Sequence, residues 1–324
     1  MAGKDVRPHR VVTETSDVTL GRSQPSIPAM NEDETGDTVA EAWRLHRRRV
    51  LDVCYRMLGT LADAEDAVQE TYARLVQRGT GDLDDVAGWL ITVAGRVCLD
   101  RLRADRVRSR YIGPWLPSPV LQPRSSEPDP ADRVTLDDSV RFALLAVLEQ
   151  LSPAERVAFV LHDVFGLSFK QVAEATGRTS SACRKLASRA RATIRSDAEP
   201  RFEADPAKAR QVVERFAAAC SSGDLAGLVA VLDPDVLGEF DSGGRIPGAP
   251  ATPLVGAPLV SAILIRSFAG AGAGFTTLDI NGQPGVVVEL HGRVMAVITI
   301  ETDGDTVRAI RAVGNPDKLA HLNR

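Results

Sequence analysis

Apolar residues recur every three or four positions through the first third of the chain, which is the spacing of one helix face. The pattern predicts a helix over residues 39–59, a second helix after an N-cap at Thr60, and a third that begins at Val86. Residues 1–38 have no such period and are rich in Thr, Ser, Pro and acidic side chains. They predict a disordered N-terminal arm in front of a helical domain over residues 39–111.

The middle of the chain changes character twice. Residues 112–136 contain six prolines, which exclude a helix and predict an extended linker. Helical spacing returns over residues 137–197, where Ser152 and Ser168 each precede Glu or Gln by three positions, as in a capping box. Gly177 predicts a helix stop before a short turn and another helix. Short helix, glycine turn and second helix form the pattern of a helix-turn-helix.

The last part of the chain combines helical and strand-like spacing. Three helical segments precede four strand-like runs within residues 275–313, and Asn281-Gly282 is typical of a tight hairpin turn. Helices followed by a meander of hairpins predict an α+β domain with a curved antiparallel sheet over residues 207–324.

The composition is that of a globular protein, since 44% of the 324 residues are hydrophobic and 25% are charged. No apolar window of roughly eighteen residues exists and no charged and apolar leader opens the chain, so we expect a cytoplasmic protein without a membrane segment. The four cysteines show no paired spacing, which favours reduced, buried thiols over a disulfide framework or a zinc site. We expect neither a metal nor a cofactor.

Charge changes the picture most over residues 178–195, which hold six Arg or Lys and no acidic residue, although the whole chain has a net charge of -4. A helix here has one apolar and one basic face. A solvated surface is the alternative interpretation, but the second helix of a helix-turn-helix lies in the DNA major groove. The side chains predicted to contact DNA are Thr179, Ser180, Ser181, Arg184, Lys185, Ser188, Arg191 and Arg195.

Two further charged surfaces lie upstream. Residues 86–111 hold six Arg and two Asp, which gives the third helix and its continuation a basic surface. The second helix carries Asp63, Asp66 and Glu70, and no basic residue occurs in residues 58–72 to neutralise them. These acids either complement the helix dipole in the first turns or await a cationic partner.

Three stretches together resemble a known family. DAEDAVQETYARLV at 63–76, GWLITVAGRVCLDRLR at 88–103 and the long run at 151–195 are similar to bacterial sigma factors of the extracytoplasmic-function type, which have only the second and fourth conserved regions. One departure is Ala94-Gly95-Arg96, where the family more often has Arg and then Asn. The resemblance implies a multi-domain protein, with a region 2 bundle and a region 4 helix-turn-helix, that gives RNA polymerase its promoter specificity.

The resemblance also implies roles for the charged surfaces. The acidic helix would dock on the β′ clamp coiled coil of core RNA polymerase and region 4 would meet the β flap, while promoter DNA would be held at its minus-ten and minus-thirty-five elements. The residues implied to contact core polymerase are Asp63, Asp66, Gln69 and Glu70. Those implied to contact the minus-ten element are Arg78, Asp82, Trp89, Arg96, Arg101 and Arg103.

The C-terminal domain resembles the SnoaL-like cone, and one subgroup of these sigma factors carries such an extension with WLPEP, DGGGK and NPDKL signatures. The corresponding stretches read WLPSP at 115–119, DSGGR at 241–245 and NPDKL at 315–319, so Ser118 replaces Glu and Arg245 replaces Lys. The resemblance implies that the extension modulates activity in place of a separate anti-sigma factor. The residues given this regulatory role are Trp115, Leu116, Pro117, Asp241, Gly243, Gly244, Arg245, Asn315, Pro316, Asp317, Lys318 and Leu319.

Other functions compete with this one. A free helix-turn-helix repressor would normally need a dimer, and it leaves the acidic helix without a role. A cyclase-like enzyme would use Asp and His pairs such as Asp241, Glu289 and His291, but no spacing singles these out. A small ligand in the hollow cone is a further alternative. We expect a sigma factor that is monomeric when free and has no enzymatic activity, with a C-terminal domain that acts as a mechanical clamp on the linker and region 4.

Overall fold

The computed structural model describes residues 32–105, 111–122, 142–197, 205–268 and 272–323. Three helices form the first bundle: α1 Glu32–Leu58, α2 Leu61–Arg78 and α3 Val86–Ala104. Thr60 caps α2 as predicted, since its hydroxyl accepts a hydrogen bond from Asp63 N at 3.2 Å. Helix α1 begins at Glu32, inside the segment predicted to be disordered. The rest of the predicted arm lies outside the described residues.

The second bundle has the predicted helix-turn-helix. Its helices are α4 Phe142–Leu148, α5 Pro153–Phe159, α6 Phe169–Thr176 and α7 Ser180–Asp197, and a π-helical turn, Val160–Val164, extends α5. Ser152 and Ser168 both form the predicted capping boxes, and Gly177 ends α6 with a φ of 65°. Residues 123–136 of the predicted linker and residues 137–141 of the predicted helix-turn-helix domain lie outside the described residues.

Helices and a seven-stranded sheet form the C-terminal domain. The helices are α8 Pro206–Ser222, α9 Leu225–Val231, α10 Ala257–Phe268 and the short α11 Pro316–Leu319. The strands are β1 Leu121–Gln122, β2 Leu232–Asp241, β3 Leu254–Val255, β4 Gly274–Ile280, β5 Gln283–Leu290, β6 Arg293–Thr302 and β7 Val307–Val313. Their order in the sheet is β1-β4-β5-β6-β7-β2-β3, so the linker supplies one edge strand.

The prediction of a wholly antiparallel sheet is wrong at one position. The hairpins β4–β5, β5–β6 and β6–β7 are antiparallel as predicted, but β2 pairs in parallel with β7. A parallel pair needs a long crossover, which α10 and the hairpins provide here. Leu232, which helical spacing assigned to the preceding helix, begins β2. Pro234 and Gly238 hide the strand in the sequence because both residues are depleted in strands.

Aliphatic and aromatic side chains fill the space between the sheet and its helices. The buried residues include Val212, Phe216, Leu228, Phe240, Val260, Leu264, Val286, Ile298 and Ile310. A cavity beside Arg210 and Asp279 has a volume of about 10 Å³, at the lower limit for one water molecule. A small-molecule ligand in the cone, the alternative to a mechanical clamp, therefore stays a prediction.

The first and second bundles pack against each other through one continuous core. Helix α3 contacts α5 and α6, and a Cβ added to Gly95 of α3 would lie 2.9 Å from Leu161 Cδ1. The buried Arg156 guanidinium of α5 donates a hydrogen bond to Met57 O at the end of α1, at 2.9 Å. It also pairs with Glu149 at 2.8 Å. Because the Arg156 charge is paired, its burial between the bundles is tolerated.

The close approach at Gly95 makes this contact sensitive to side-chain size. We expect Gly95→Phe to force the two bundles apart, because the ring would occupy the space of Leu161 while replacing Gly favours the helix itself. Small-angle X-ray scattering should show a larger radius of gyration with an unchanged far-UV circular dichroism spectrum. The control is Gly81→Phe, since an added Cβ at Gly81 meets no atom within 4 Å. An unchanged radius of gyration for Gly95→Phe would contradict this account of the interface.

Candidate nucleic-acid interface

Helix α7 has the two faces predicted for it. Thr179 caps the helix by accepting a hydrogen bond from Ala182 N at 3.2 Å. Its apolar face is buried against the other helices of the second bundle through Cys183, Leu186, Ala187 and Ala190. The residues of its polar face that are exposed are Thr179, Ser181, Arg184, Lys185, Ser188 and Arg195, while Ser180 and Arg191 are partly buried.

The basic side chains of α7 are not equally available. Arg191 pairs with Asp163 at 2.7 Å, and its neighbour Arg189 pairs with Glu155 at 2.9 Å. Arg184 lies 5.3 Å from the Phe169 ring centroid and, like Lys185 and Arg195, has no acidic partner among the described residues. The face can therefore offer uncompensated positive charge to a phosphate backbone.

Some basic side chains of helix α3 face solvent and one faces helix α2. Arg96 and Arg103 are exposed. Arg101 is turned toward α2, where it lies 3.7 Å from Asp66 and 3.3 Å from Glu70. The first two are therefore accessible to solvent, whereas Arg101 holds α2 and α3 together.

The other residues implied to contact the minus-ten element lie around the loop before α3. Arg78 at the end of α2 pairs with Asp82 at 3.5 Å, and Asp82 is exposed. Trp89 is half-buried and packs against the shared core. The structure thus places these three residues near the start of α3 without bringing them into one cluster. Arg106, Arg108 and Arg110, which continue the basic run, lie outside the described residues.

The acidic face of α2 is more neutralised than its sequence suggested. Glu70 pairs with Arg74 at 2.6 Å as well as with Arg101, because these bases come from the next helical turn and from another helix. Asp63 belongs to the N-terminal cap with Thr60. Asp66 and Gln69 are exposed. Asp63 is exposed as well, so Glu70 is the one of the four residues implied to contact polymerase that is partly buried.

The linker is held by a buried ion pair of the C-terminal domain. Asp241 Oδ2 accepts a hydrogen bond from Leu116 N at 2.8 Å, and Lys318 Nζ donates one to Leu116 O at 2.5 Å. Lys318 and Asp241 are themselves 2.6 Å apart, and both side chains are almost fully buried. Lys318 Nζ also lies 3.6 Å from a ring centroid of Trp115, a cation–π geometry. Asp241 and Lys318 are called the linker clamp below.

Two side chains position the linker clamp. The Tyr111 hydroxyl donates a hydrogen bond to Asp241 Oδ1 and accepts one from Asn315 Nδ2 at 2.7 Å. Burial and the contact with Asp241 raise the pKa of Tyr111, so that its hydroxyl remains a donor. Asn315 also caps α11 by accepting a hydrogen bond from Asp317 N at 3.0 Å, which fixes the helix that carries Lys318. No sequence pattern pointed to Tyr111 as a partner of these residues.

A second set of buried hydrogen bonds joins the linker to both domains. The Tyr55 hydroxyl of α1 donates to Ser118 O at 2.5 Å and accepts a hydrogen bond from Asn281 Nδ2 at 3.0 Å. Val120 N donates to Asn281 Oδ1 at 3.0 Å, and His321 Nε2 lies 2.9 Å from Pro119 O. Asn281 was predicted only as a turn residue, and Tyr55 and His321 were not singled out. Asn-Gly turns are common, so the pattern had no feature that pointed to this contact.

The outer face of the sheet buries the linker and the start of the second bundle. Leu116 and Phe142 pack with Val287, Val297 and Val313 in one cluster. The linker residues Leu121 and Gln122 also extend the sheet by pairing with Ile280 and Asp279. Trp115 and Leu116 therefore dock on a neighbouring domain.

The remaining signature residues are placed differently. Arg245 pairs with Asp317 at 2.9 Å, and both side chains are more than 60% exposed. Gly243 and Gly244 have φ values of 59° and 71°, and an added Cβ on Gly243 would lie 2.5 Å from Asn315 Nδ2. Pro316 opens α11, and Leu319 joins the cluster on the outer face with Leu116. Pro117 lies within the docked linker between Leu116 and Ser118.

Other candidate chemistry is weak in this structure. Glu289 and His291 are exposed at the β5–β6 hairpin, and Asp241 is already paired with Lys318. The four cysteines are buried, and burial raises the pKa of Cys98 and raises that of Cys220 to about 12, which disfavours reactive thiolates. None of the described helices is long and apolar enough to cross a membrane.

Helix α7 presents an exposed basic face in a helix-turn-helix, and α3 of the first bundle carries exposed arginines as well. Together these features define the chain as a DNA-binding transcription protein. Two family models match it: residues 42–108 match Sigma-70 region 2, and residues 141–194 match Sigma-70, region 4. The chain is 39% identical to the probable ECF RNA polymerase sigma factor SigI of Mycobacterium tuberculosis over 289 residues, which cover 88% of this chain and 96% of that protein. It belongs to the extracytoplasmic-function sigma factors.

Two further findings concern one relative. The ECF RNA polymerase sigma factor SigJ of Mycobacterium tuberculosis is 44% identical over 207 residues, which cover 63% of this chain and 65% of that protein. The crystal structure of SigJ aligns with a TM-score of 0.67 and 35% identity, covering 87% of this chain and 98% of that one. The predicted arrangement of two helical sigma modules and a SnoaL-like domain is thereby confirmed, with the mixed sheet as its correction. The relatives' names are those of sigma factors, which is consistent with a chain without enzymatic activity.

The buried linker clamp generates a stability prediction. Lys318→Met should destabilise the chain by about 3–5 kcal/mol, because it leaves the Asp241 carboxylate buried without its cation. The double variant Lys318→Met with Asp241→Asn should lose less stability than Lys318→Met alone, since no charge is then left unpaired. Thermal unfolding followed by circular dichroism measures both effects.

Arg245→Met is the matched control, because it breaks an exposed ion pair beside the linker clamp. Exposed pairs contribute about 0–1 kcal/mol, so its melting temperature should stay close to that of the unmodified chain. Equal losses for Lys318→Met and Arg245→Met would show that the buried pair has no special role.

Proposed function

We propose that this sigma factor binds core RNA polymerase through α2, holds the minus-ten element at α3 and its preceding loop, and reads the minus-thirty-five duplex with α7. The accessible Asp66 and Gln69 support the polymerase contact, and the exposed Arg96 and Arg103 support the contact with melted DNA. The observation that carries the proposal is the exposed basic face of α7 in a capped helix-turn-helix. In that motif the second helix enters the major groove.

We further propose that the C-terminal domain restrains the chain in a closed state. The two promoter elements are centred about 25 base pairs apart, which is about 85 Å along a straight duplex at ~3.4 Å per base pair. The first and second bundles share one core through Gly95, Leu161 and Arg156, so α3 and α7 cannot reach both elements at once in this arrangement. The bundles must separate before initiation.

The linker clamp opposes that separation. It fixes Leu116 to the C-terminal domain, while Tyr55 and Asn281 fix the same linker to α1 and to the sheet. Phe142 at the start of region 4 is buried on the outer face of that sheet. The C-terminal domain thus acts as an attached, non-catalytic restraint on opening.

The proposal predicts the direction of regulation. Lys318→Met should increase run-off transcription by core polymerase, because weakening the linker clamp lowers the free energy needed to open the chain. Templates are genomic fragments with mapped start sites, and Arg245→Met is the control at equal protein concentration. Gly95→Phe, which acts on the other contact, should increase transcription as well. Transcription that falls or stays level in both variants would contradict the restraint, and a chain that never yields a transcript with core polymerase would contradict the sigma function itself.

The role of α7 in reading DNA is tested separately. Arg184→Ala should weaken binding of the polymerase complex to a minus-thirty-five duplex by about 1–3 kcal/mol for each lost base contact. Arg191→Ala should cost less, because its guanidinium is already paired with Asp163. Fluorescence anisotropy of the labelled duplex measures both, with Arg215→Ala on the exposed face of α8 as the charge-matched control. Equal affinities for Arg184→Ala and Arg215→Ala would exclude Arg184 from the interface.

A further inference from the structure

A cleft of about 400 Å³ lies between the first and second bundles. One wall is α3 and the other is the end of α6 with the turn that follows it. The lining residues are Arg96, Leu99, Asp100, Arg103, Ala175, Thr176, Gly177 and Arg178. This volume is within the range of sites for small molecules, which often form where two domains meet.

The charge of the cleft is strongly unbalanced. Three arginines face a single carboxylate, and that carboxylate, Asp100, is 3.8 Å from Arg103 Nη1. Arg96 and Arg178 are exposed and have no acidic partner in the parts of the chain that the structure describes. One of these two guanidinium groups comes from each bundle, so an anion in the cleft could be bound from both sides.

The base of the cleft is rigid. Leu99 and Ala175 are buried in the shared core. The Thr176 hydroxyl donates a hydrogen bond to Val172 O at 2.8 Å, so it is already satisfied. The exposed charged side chains of the cleft are therefore its three arginines and Asp100. Guanidinium groups form paired hydrogen bonds with phosphate oxygens.

We propose that this cleft binds a compact polyphosphate, the diphosphate or triphosphate group of a nucleotide. A site of this volume between two walls matches one nucleotide better than a continuous nucleic-acid strand. Because its arginines come from both bundles, the site exists only while the bundles are packed together. A ligand that binds only the closed state stabilises that state. On the proposed function, it would therefore oppose initiation and would cover Arg96 and Arg103.

The test is isothermal titration calorimetry of the full chain with inorganic triphosphate, without polymerase, so its outcome does not depend on the sigma function. We expect saturable binding to one site, weakened about tenfold or more by Arg96→Ala and by Arg178→Ala, each of which removes one charged contact. Arg215→Ala makes the same change of net charge far from the cleft and should bind as the unmodified chain does. Equal weakening in all three variants would overturn the site in favour of non-specific attraction.

Two further arms separate the alternatives. Gly95→Phe keeps both arginines but disturbs the packing between the walls, so it should lose binding by a similar factor; undiminished binding would overturn a site shared by the two bundles. If adenosine and guanosine triphosphates bind at least as tightly as inorganic triphosphate, the result would support a nucleotide as the ligand of the cleft. Weaker binding of both nucleotides than of inorganic triphosphate would overturn the assignment to a nucleotide. A short single-stranded oligodeoxynucleotide that binds more tightly than any of these would overturn the assignment in favour of a nucleic-acid surface.

Discussion

The backbone of the linker cannot satisfy its own hydrogen bonds, and the rest of the molecule is arranged around that constraint. Prolines at 114, 117 and 119 prevent a helix, yet Leu116 and Ser118 are buried. A buried backbone N–H or C=O without a partner costs free energy comparable to a lost hydrogen bond. Each such group must therefore find a donor or acceptor on another element.

Those partners come from opposite sides of the linker. In the linker clamp, Asp241 accepts a hydrogen bond from Leu116 N and Lys318 donates one to Leu116 O. Gly59 O accepts a hydrogen bond from Ser118 N at 2.8 Å. Tyr55 then donates to Ser118 O. A short proline-rich segment thus joins α1, the sheet and α11 because its polar groups alternate between them. Moving either domain away from the linker would leave several of these groups without a partner at once, which makes the contact cooperative.

Local sequence patterns were sufficient for the helical modules. The caps at Thr60, Ser152, Ser168 and Gly177 depend on side chains within three or four positions, and the structure confirms all of them. The basic face of α7 followed from helical spacing for the same reason. Predictions that depended on distant partners were less complete: the charges of Glu70 are met by Arg74 and by Arg101 from another helix, and β2 pairs with the last strand of the sheet.

The same limit applies to the candidate sites. The family signatures identified Asp241, Lys318 and Trp115, but nothing in the sequence joins the first two into one ion pair. Tyr55 and Asn281 are 226 positions apart and meet only because the linker lies between them. The cleft at Arg96 and Arg178 likewise requires the packing of two bundles that the sequence describes one at a time.

The edge strand β1 has a consequence for the fate of an opened molecule. While Leu121 and Gln122 are paired with β4, they cover the end of the sheet, and Leu116 and Phe142 cover its aliphatic outer surface. Withdrawal of the linker would leave β4 as an unpaired edge strand and would expose an apolar surface to water, a combination that promotes self-association. An opened chain that is not bound to another protein is therefore prone to aggregate. The time for which it stays monomeric depends on how soon another protein surface covers the exposed strand and the apolar surface.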